Sequence, residues 1–253
     1  MLSIIFRAKI FFNNMFFLIS CLNLFVYFAN PLPNDQYLTH YWPICNGEMK
    51  DHVGLADMTQ GASTNFTNDK NSNPNCALAL NGGWTLVPTD VYFNTPQFTI
   101  SAWIYPQTIG SWARLIDFGN GKNSDNIVFA IGSPTNKPAF QICHSGSCNI
   151  NLFSSKALAL NQWNFLTVTF DGKIFVIYID SKQTGNLSFS YSMLNLSRSS
   201  NFIGKSNMGG SDGYSFSYLD DLRFYNVSLS ATDVVNLMNA GRNYFYVLLL
   251  KYI

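Results

Sequence analysis

The chain has 253 residues, 15 Lys and Arg against 14 Asp and Glu, and only 11% of it is charged while 16% is aromatic. A net charge of +1 with no Lys/Arg cluster excludes a nucleic-acid binder, and 22 Phe with 13 Tyr exclude a disordered tail. Glu48 is the single glutamate, and long amphipathic helices draw on Glu, Lys and Ala, so an all-β chain of one large or two small domains is expected.

In chain order, Arg7 and Lys9 precede an apolar stretch from Ile10 to Ala29, and a polar turn, Pro31-Leu-Pro-Asn-Asp35, follows. That is the order of a secretory signal peptide over residues 1–29. An uncleaved signal anchor is the alternative, since about 20 residues can cross a bilayer. Asn13, Asn14 and Asn23 weaken a span, whereas Tyr27 is a poor residue three positions before a cut. Met15 offers a second start. In each case the remainder is exported to a secreted, extracellular location, and a membrane is a partner only through an uncleaved anchor.

Cys21 lies in the leader, and Cys45, Cys76, Cys143 and Cys148 remain, with three possible connectivities. The expected pairing is Cys45–Cys76 and Cys143–Cys148, because the second pair brackets His144-Ser-Gly-Ser147, a connector of hairpin-tip type. A zinc site on Cys143, His144 and Cys148 would lack the second half of its ligands. Glycosylation sequons start at Asn65, Asn186, Asn195 and Asn226, about as many as the Asn, Ser and Thr content produces by chance.

Residues 37–240 form one continuous β-rich domain without a linker. Phe98 to Tyr105 alternates Phe98/Ile100/Ala102/Ile104 with Thr99/Ser101/Trp103/Tyr105, the two faces of a strand that Pro106 stops. Ala113 to Phe118 and Asn126 to Ile131 form a second pair, and Trp163 to Phe170 and Lys173 to Asp180 flank the hairpin turn Asp171-Gly172. Asn201 to Lys205 and Tyr214 to Tyr225 are the last strands. One helix is predicted, Ala231 to Ala240, with Ser230 as N-cap, Asp233 three residues on, an apolar stripe of Val234, Val235, Leu237 and Met238, and Gly241 as its stop. The tail 241–253 ends in ten largely apolar residues, too few to cross a membrane, which could form a terminal strand.

The segment Tyr218-Leu-Asp-Asp-Leu-Arg-Phe-Tyr-Asn-Val227 carries two adjacent carboxylates inside a strand, Asp220 and Asp221. It closes an ordered series: His40-Tyr-Trp-Pro, Ala77-Leu-Ala-Leu-Asn-Gly-Gly, Phe98-Thr-Ile-Ser-Ala-Trp-Ile-Tyr, Trp163-Asn-Phe-Leu-Thr-Val-Thr-Phe-Asp-Gly, Ile177-Tyr-Ile-Asp and Phe202-Ile-Gly. Over residues 40–240 this series resembles the laminin G-like group of the concanavalin A-like lectin/glucanase superfamily. The resemblance implies a jelly-roll sandwich of two antiparallel sheets with roughly a dozen strands.

Glycosidases of that superfamily need two cooperating carboxyl groups about 5 Å apart. With one glutamate their Glu-x-Asp-x-x-Glu type motif cannot be built, and adjacent Asp220 and Asp221 would point to opposite faces, Asp220 inward and Asp221 outward beside Arg223. His40, His52 and His144 have no nucleophile partner and are expected at surfaces or turns. No catalytic residue is therefore assigned. The resemblance places Asp220 where related glycosidases hold a structural calcium, with Asp51 and Asp57 as candidate co-ligands. The loop Asp117 to Asp125 is a second oxygen-rich candidate. Trp112 and Trp84, beside Gly/Ser-rich turns, are the candidate sugar-stacking residues, while Tyr214, Phe216 and Tyr218 share one strand face and are expected in the core. The expected function is a secreted, non-enzymatic recognition domain that binds a glycan or an extracellular protein. A glycoside hydrolase or lyase of the same fold and a structural adhesion module without a small ligand are the alternatives.

Overall fold

A computed structural model describes residues 34–209 and 212–240. The leader and the 241–253 tail lie outside the described residues. In chain order the strands are β1 (Leu38–Trp42), β2 (Thr59–Ala62), β3 (Asn65–Thr67), β4 (Ala77–Ala79), β5 (Trp84–Val87), β6 (Phe98–Thr108), β7 (Arg114–Gly119), β8 (Ile127–Ala130), β9 (Ala139–His144), β10 (Ser147–Phe153), β11 (Asn164–Phe170), β12 (Ile174–Ile179), β13 (Lys182–Ser188), β14 (Ser200–Ile203) and β15 (Phe216–Tyr225). Helix α1 (Ala231–Asn239) follows.

They form two antiparallel sheets. An eight-stranded sheet runs β13-β12-β11-β6-β15-β4-β3, with β1 added beside β15, and a seven-stranded sheet runs β10-β9-β8-β7-β14-β5-β2. The alternation in β6 does what its sequence demands: Phe98, Ile100, Ala102 and Ile104 enter the core between the sheets, together with Leu166, Val168 and Phe170 from β11 and Phe129 and Phe140 from the facing sheet. The β11–β12 hairpin pairs Phe170 with Phe175. Its connection is one residue longer than Asp171-Gly172 alone suggests, because the Asp171 carboxylate accepts from the amides of both Lys173 and Ile174 and Gly172 supplies the left-handed φ of +95°.

Helix α1 is closed by a reciprocal capping box, the Asp233 amide donating to Ser230 Oγ and the Ser230 amide to Asp233 Oδ2. Its buried residues are Val234 and Leu237, which cover Phe165, Tyr178, Tyr225 and Leu229 on the outward side of the eight-stranded sheet. Val235, expected in the apolar stripe, is exposed. The helix lies on one flat sheet face, and the two-position i, i+3 contact leaves Val235 on the solvent side.

Both expected disulfides are present, Cys45–Cys76 and Cys143–Cys148. The second joins register partners at the tip of the β9–β10 hairpin, so the zinc alternative has lost its thiolates. The first ties the segment after β1 to the residue before β4, and both of these strands pair with β15.

Candidate functional site

The acid pair departs from simple strand parity. Leu219 and Leu222 both enter the core, so an extra residue is accommodated between them, and the pairing of β15 with β6 skips from Asp220 to Arg223. Asp221 carries the strain of this bulge with φ +59°. The bulge falls where β15 changes partner on its other side, from β4 at Tyr218 and Leu219 to β1 from Leu222 onward. As a result Asp220 shares the outward face of the sheet with its register partner Trp103, and does not point at the core. Asp221 is not solvent-facing either. It is buried and pairs at 2.8 Å with fully buried Arg223. The Arg223 guanidinium carbon lies 4.7 Å above the Tyr41 ring. Burial opposes the charge on Arg223, but Asp221 outweighs it and holds the guanidinium above its ordinary value. Burial, reinforced by the negative Asp221, pushes the Tyr41 hydroxyl upward.

Asp51 organises the chain that leaves β1. Its Oδ1 accepts from the amides of Tyr41, Val53 and Gly54 at 2.9, 3.0 and 3.0 Å. Its Oδ2 accepts from the Ala56 amide at 3.0 Å and meets His40 Nδ1 at 2.7 Å. Burial raises the Asp51 carboxyl, and the His40 and backbone bonds outweigh it, leaving it below its ordinary value. His40, expected at a surface, is buried against Trp42, Tyr92 and Phe224. It is the second half of this knot. Asp57 is exposed and accepts from the Asp51 amide.

The donor set does not fit a calcium site at Asp220, Asp51 and Asp57. Both Asp51 oxygens are committed to protein donors, and among the described residues no group of three or more His, Cys, Asp or Glu is arranged to hold a metal. The 117–125 loop is divided in the same way. Asp117, fully buried, accepts from Asn126 Nδ2 and Asn207 Nδ2 at 2.9 Å each and from Arg114 Nε at 3.3 Å, whereas Asp125 faces His144 at 2.5 Å.

Arg114 leads from that network to the surface. Its guanidinium donates to the Trp112 carbonyl at 2.6 Å and to Asp212 Oδ2 at 2.7 Å. Trp112 stands in the left-handed region, φ +57°, a conformation that costs a bulky residue about 1–3 kcal/mol. On the outward face of the seven-stranded sheet the register rows read Arg114, Ala130, Ala139, Phe153 and Asp117, Val128, Gln141, Asn151. The two alanines leave room for larger rings: Trp112 and Phe153 approach to 6.3 Å between centroids, although β7 and β10 are about 14 Å apart at the usual strand spacing. Gln141 Nε2 donates to Asn151 Oδ1 beside them.

Trp84 lies on the same face, two strands beyond β7. It packs edge-to-face on Phe202 at 5.4 Å, with the Lys205 ammonium 4.2 Å from its ring centroid and Gly61 beneath it with no room for a Cβ. The structure thus brings Trp84 and Trp112 to one sheet face. Phe153, Gln141, Asn151, Phe202 and Lys205 join them, gathered by strand pairing and not by any local sequence signal. Tyr214, Phe216 and Tyr218, expected in the core, are on the opposite sheet: Tyr214 and Phe216 are nearly half exposed, and Tyr218 stacks on Tyr105 at 5.2 Å. Phe216 and Tyr218 alternate with the inward Ser217 and Leu219, so they lie on the outward face of that sheet, away from the facing one.

Residues 80–235 match the laminin G family described as the concanavalin A-like lectin/glucanases superfamily. The chain belongs to this superfamily. No curated protein matches it by sequence. Among solved structures, this laminin G-like domain is similar to domain 4 of AbnA, a GH43 extracellular arabinanase from Geobacillus stearothermophilus, in complex with arabinotriose (17% identity, TM-score 0.63, covering 80% of this chain and 98% of that one). It is also similar to the binding domain of Paraclostridial Mosquitocidal Protein 1 (19%, 0.62, 81% and 52%). A third similar structure is of botulinum neurotoxin type C, whose cell entry depends on interaction with two ganglioside molecules (17%, 0.62, 82% and 52%). The chain spans about half the length of the two toxin chains. At these identities the likeness establishes the concanavalin A-like fold alone.

Proposed function

We propose that this is an extracellular, non-enzymatic carbohydrate-binding domain whose ligand lies across the outward face of the seven-stranded sheet. The observation that carries the reading is the meeting of both tryptophans on that face, Trp112 with Phe153 at one end and Trp84 with Phe202 and Lys205 at the other. Aromatic rings offer apolar faces to sugar C–H groups, and the Gln141 and Asn151 amides and the Lys205 ammonium offer partners for hydroxyls. Known binding domains of the same fold, one of them seen with arabinotriose, support the class of ligand. Two disulfides support an extracellular location, and no helix among the described residues is long and apolar enough to cross a membrane. The lone glutamate and the engagement of Asp221 with buried Arg223 support binding without hydrolysis.

The test is a glycan array followed by titration of the best ligand with the wild type, Trp112→Ala and Trp84→Ala. Each change is expected to weaken binding by about tenfold or more, about 1.4 kcal/mol, with the thermal midpoint close to wild type. Undiminished binding by both variants, or release of shortened oligosaccharides, overturns the proposal.

A further inference from the structure

The four sequons are distributed unevenly over the fold. Asn65 opens β3 and Asn186 lies in β13, the two edge strands of the eight-stranded sheet. Asn226 follows directly on β15, and Asn195 lies in the segment between β13 and β14. All four asparagines are exposed. Two of them also face outward from the eight-stranded sheet. Asn186 is the register partner of Val176, which packs under α1, and Asn65 is the partner of Ala79, itself the partner of Tyr218.

The seven-stranded sheet has no shortage of asparagine. Asn149, Asn151 and Asn207 lie in or beside its strands and reach the surface. Not one of them has Ser or Thr two residues on: the third positions are Asn151, Phe153 and Gly209. Asparagine-rich composition explains how many sequons there are, and the fold decides which face carries them: the sheet with Trp84, Trp112 and Phe153 carries none among the described residues.

We infer that Asn65, Asn186, Asn195 and Asn226 are N-glycosylation sites whose glycans clothe the eight-stranded sheet and the sandwich edge. The open face of the seven-stranded sheet is left bare as the surface that meets ligand. The first half stands on exposure, sequon and disulfides. The second rests on the proposed carbohydrate-binding function. A branched, hydrated glycan excludes other macromolecules from the surface around its anchor, so a domain that works through one face keeps its acceptors on the other.

The full chain, produced in a eukaryotic secretory host, is examined by site-resolved mass spectrometry before and after enzymatic removal of N-glycans. Modification of all four asparagines is expected. Unmodified Asn65 and Asn186 would overturn the assignment, a result independent of any ligand. Binding to the array is expected to be the same before and after deglycosylation, and binding that appears only after it would overturn the bare face. A reciprocal variant completes the test. Ala62 is exposed on β2 opposite Trp84, and Ala62→Asn creates a sequon with Ser63 and Thr64. Its glycan is expected to lower binding at least tenfold, with recovery on deglycosylation and none of the loss in Ala62→Gln. Full binding by glycosylated Ala62→Asn overturns the inference. If the array yields no ligand for any form, the proposed function fails, and the four acceptor sites are judged on the mass data alone.

Discussion

Replacing Asp51 with asparagine tests how much of the N-terminal part of the sandwich depends on one carboxylate. The side chain keeps its shape and one oxygen. If that oxygen takes the Oδ1 position it still serves Tyr41, Val53 and Gly54, but the amide nitrogen then faces the Ala56 N–H and His40 Nδ1. The opposite orientation sets the nitrogen against three donors and is worse. His40 can change tautomer and accept, so one buried donor is orphaned and the remaining bonds lose their charge. At about 1–3 kcal/mol for an unsatisfied buried group and a fraction of the usual 1.5–3 kcal/mol for charge-assisted bonds, the expected loss is about 2–4 kcal/mol. For a domain of this size that lowers the thermal midpoint by about 5–15 °C. In urea the midpoint concentration should fall at unchanged slope. The pH dependence gives a second reading. The folded carboxyl lies below its ordinary value, so its contribution is present above that ordinary value and is lost as pH falls through the folded one. The gap between wild type and Asp51→Asn should therefore close in acid. A loss under about 0.5 kcal/mol at neutral pH, the scale of an ordinary surface change, or a gap that ignores pH, refutes the reasoning.

Asp221→Asn keeps a residue type that tolerates the left-handed bulge but strips Arg223 of its counter-charge, and is expected to cost about 3–5 kcal/mol by chemical denaturation. Adding Arg223→Met should restore part of that loss, and a double variant no better than the single one would remove the ion pair from the account. Gly61→Ala sets a methyl against the Trp84 ring, so affinity for the array-selected glycan should fall severalfold although residue 61 offers the ligand no side chain. Equal affinity would show that the Trp84 end of the face is not used. Millimolar calcium should leave the thermal midpoint unchanged, and an upward shift that disappears in Asp220→Asn would reinstate a calcium site.

The sandwich was readable from local pattern where the chain is regular. The alternation in β6 and the Ser230–Asp233 box are short-range signals, and the structure realises both. Parity failed at Asp220 because the bulge is caused by a change of neighbour, from β4 to β1, that no window of sequence around residue 220 contains. His40 was misplaced for a similar reason: its burial depends on Asp51 eleven residues away and on Tyr92 and Phe224 much farther off. At the candidate site, Trp112 and Trp84 could be singled out by their Gly- and Ser-rich surroundings. Phe153 and the Gln141–Asn151 pair could not, since only strand pairing across β7 to β10 gathers them.

The place of β15 governs how this chain can be made. It is the last strand among the described residues, yet it lies between β6 and β4 and also holds β1, so a contact such as Thr39 to Phe224 closes 185 residues of chain. Until it emerges, the strands beside it have no common partner and their apolar rows stay uncovered, the situation in which slow folding and aggregation compete. The Cys45–Cys76 bond closes a loop confined to the first third of the chain and can form while translation continues. Such early closure would hold β1 near β4 as a waiting slot for the acid-bearing strand, made long after both.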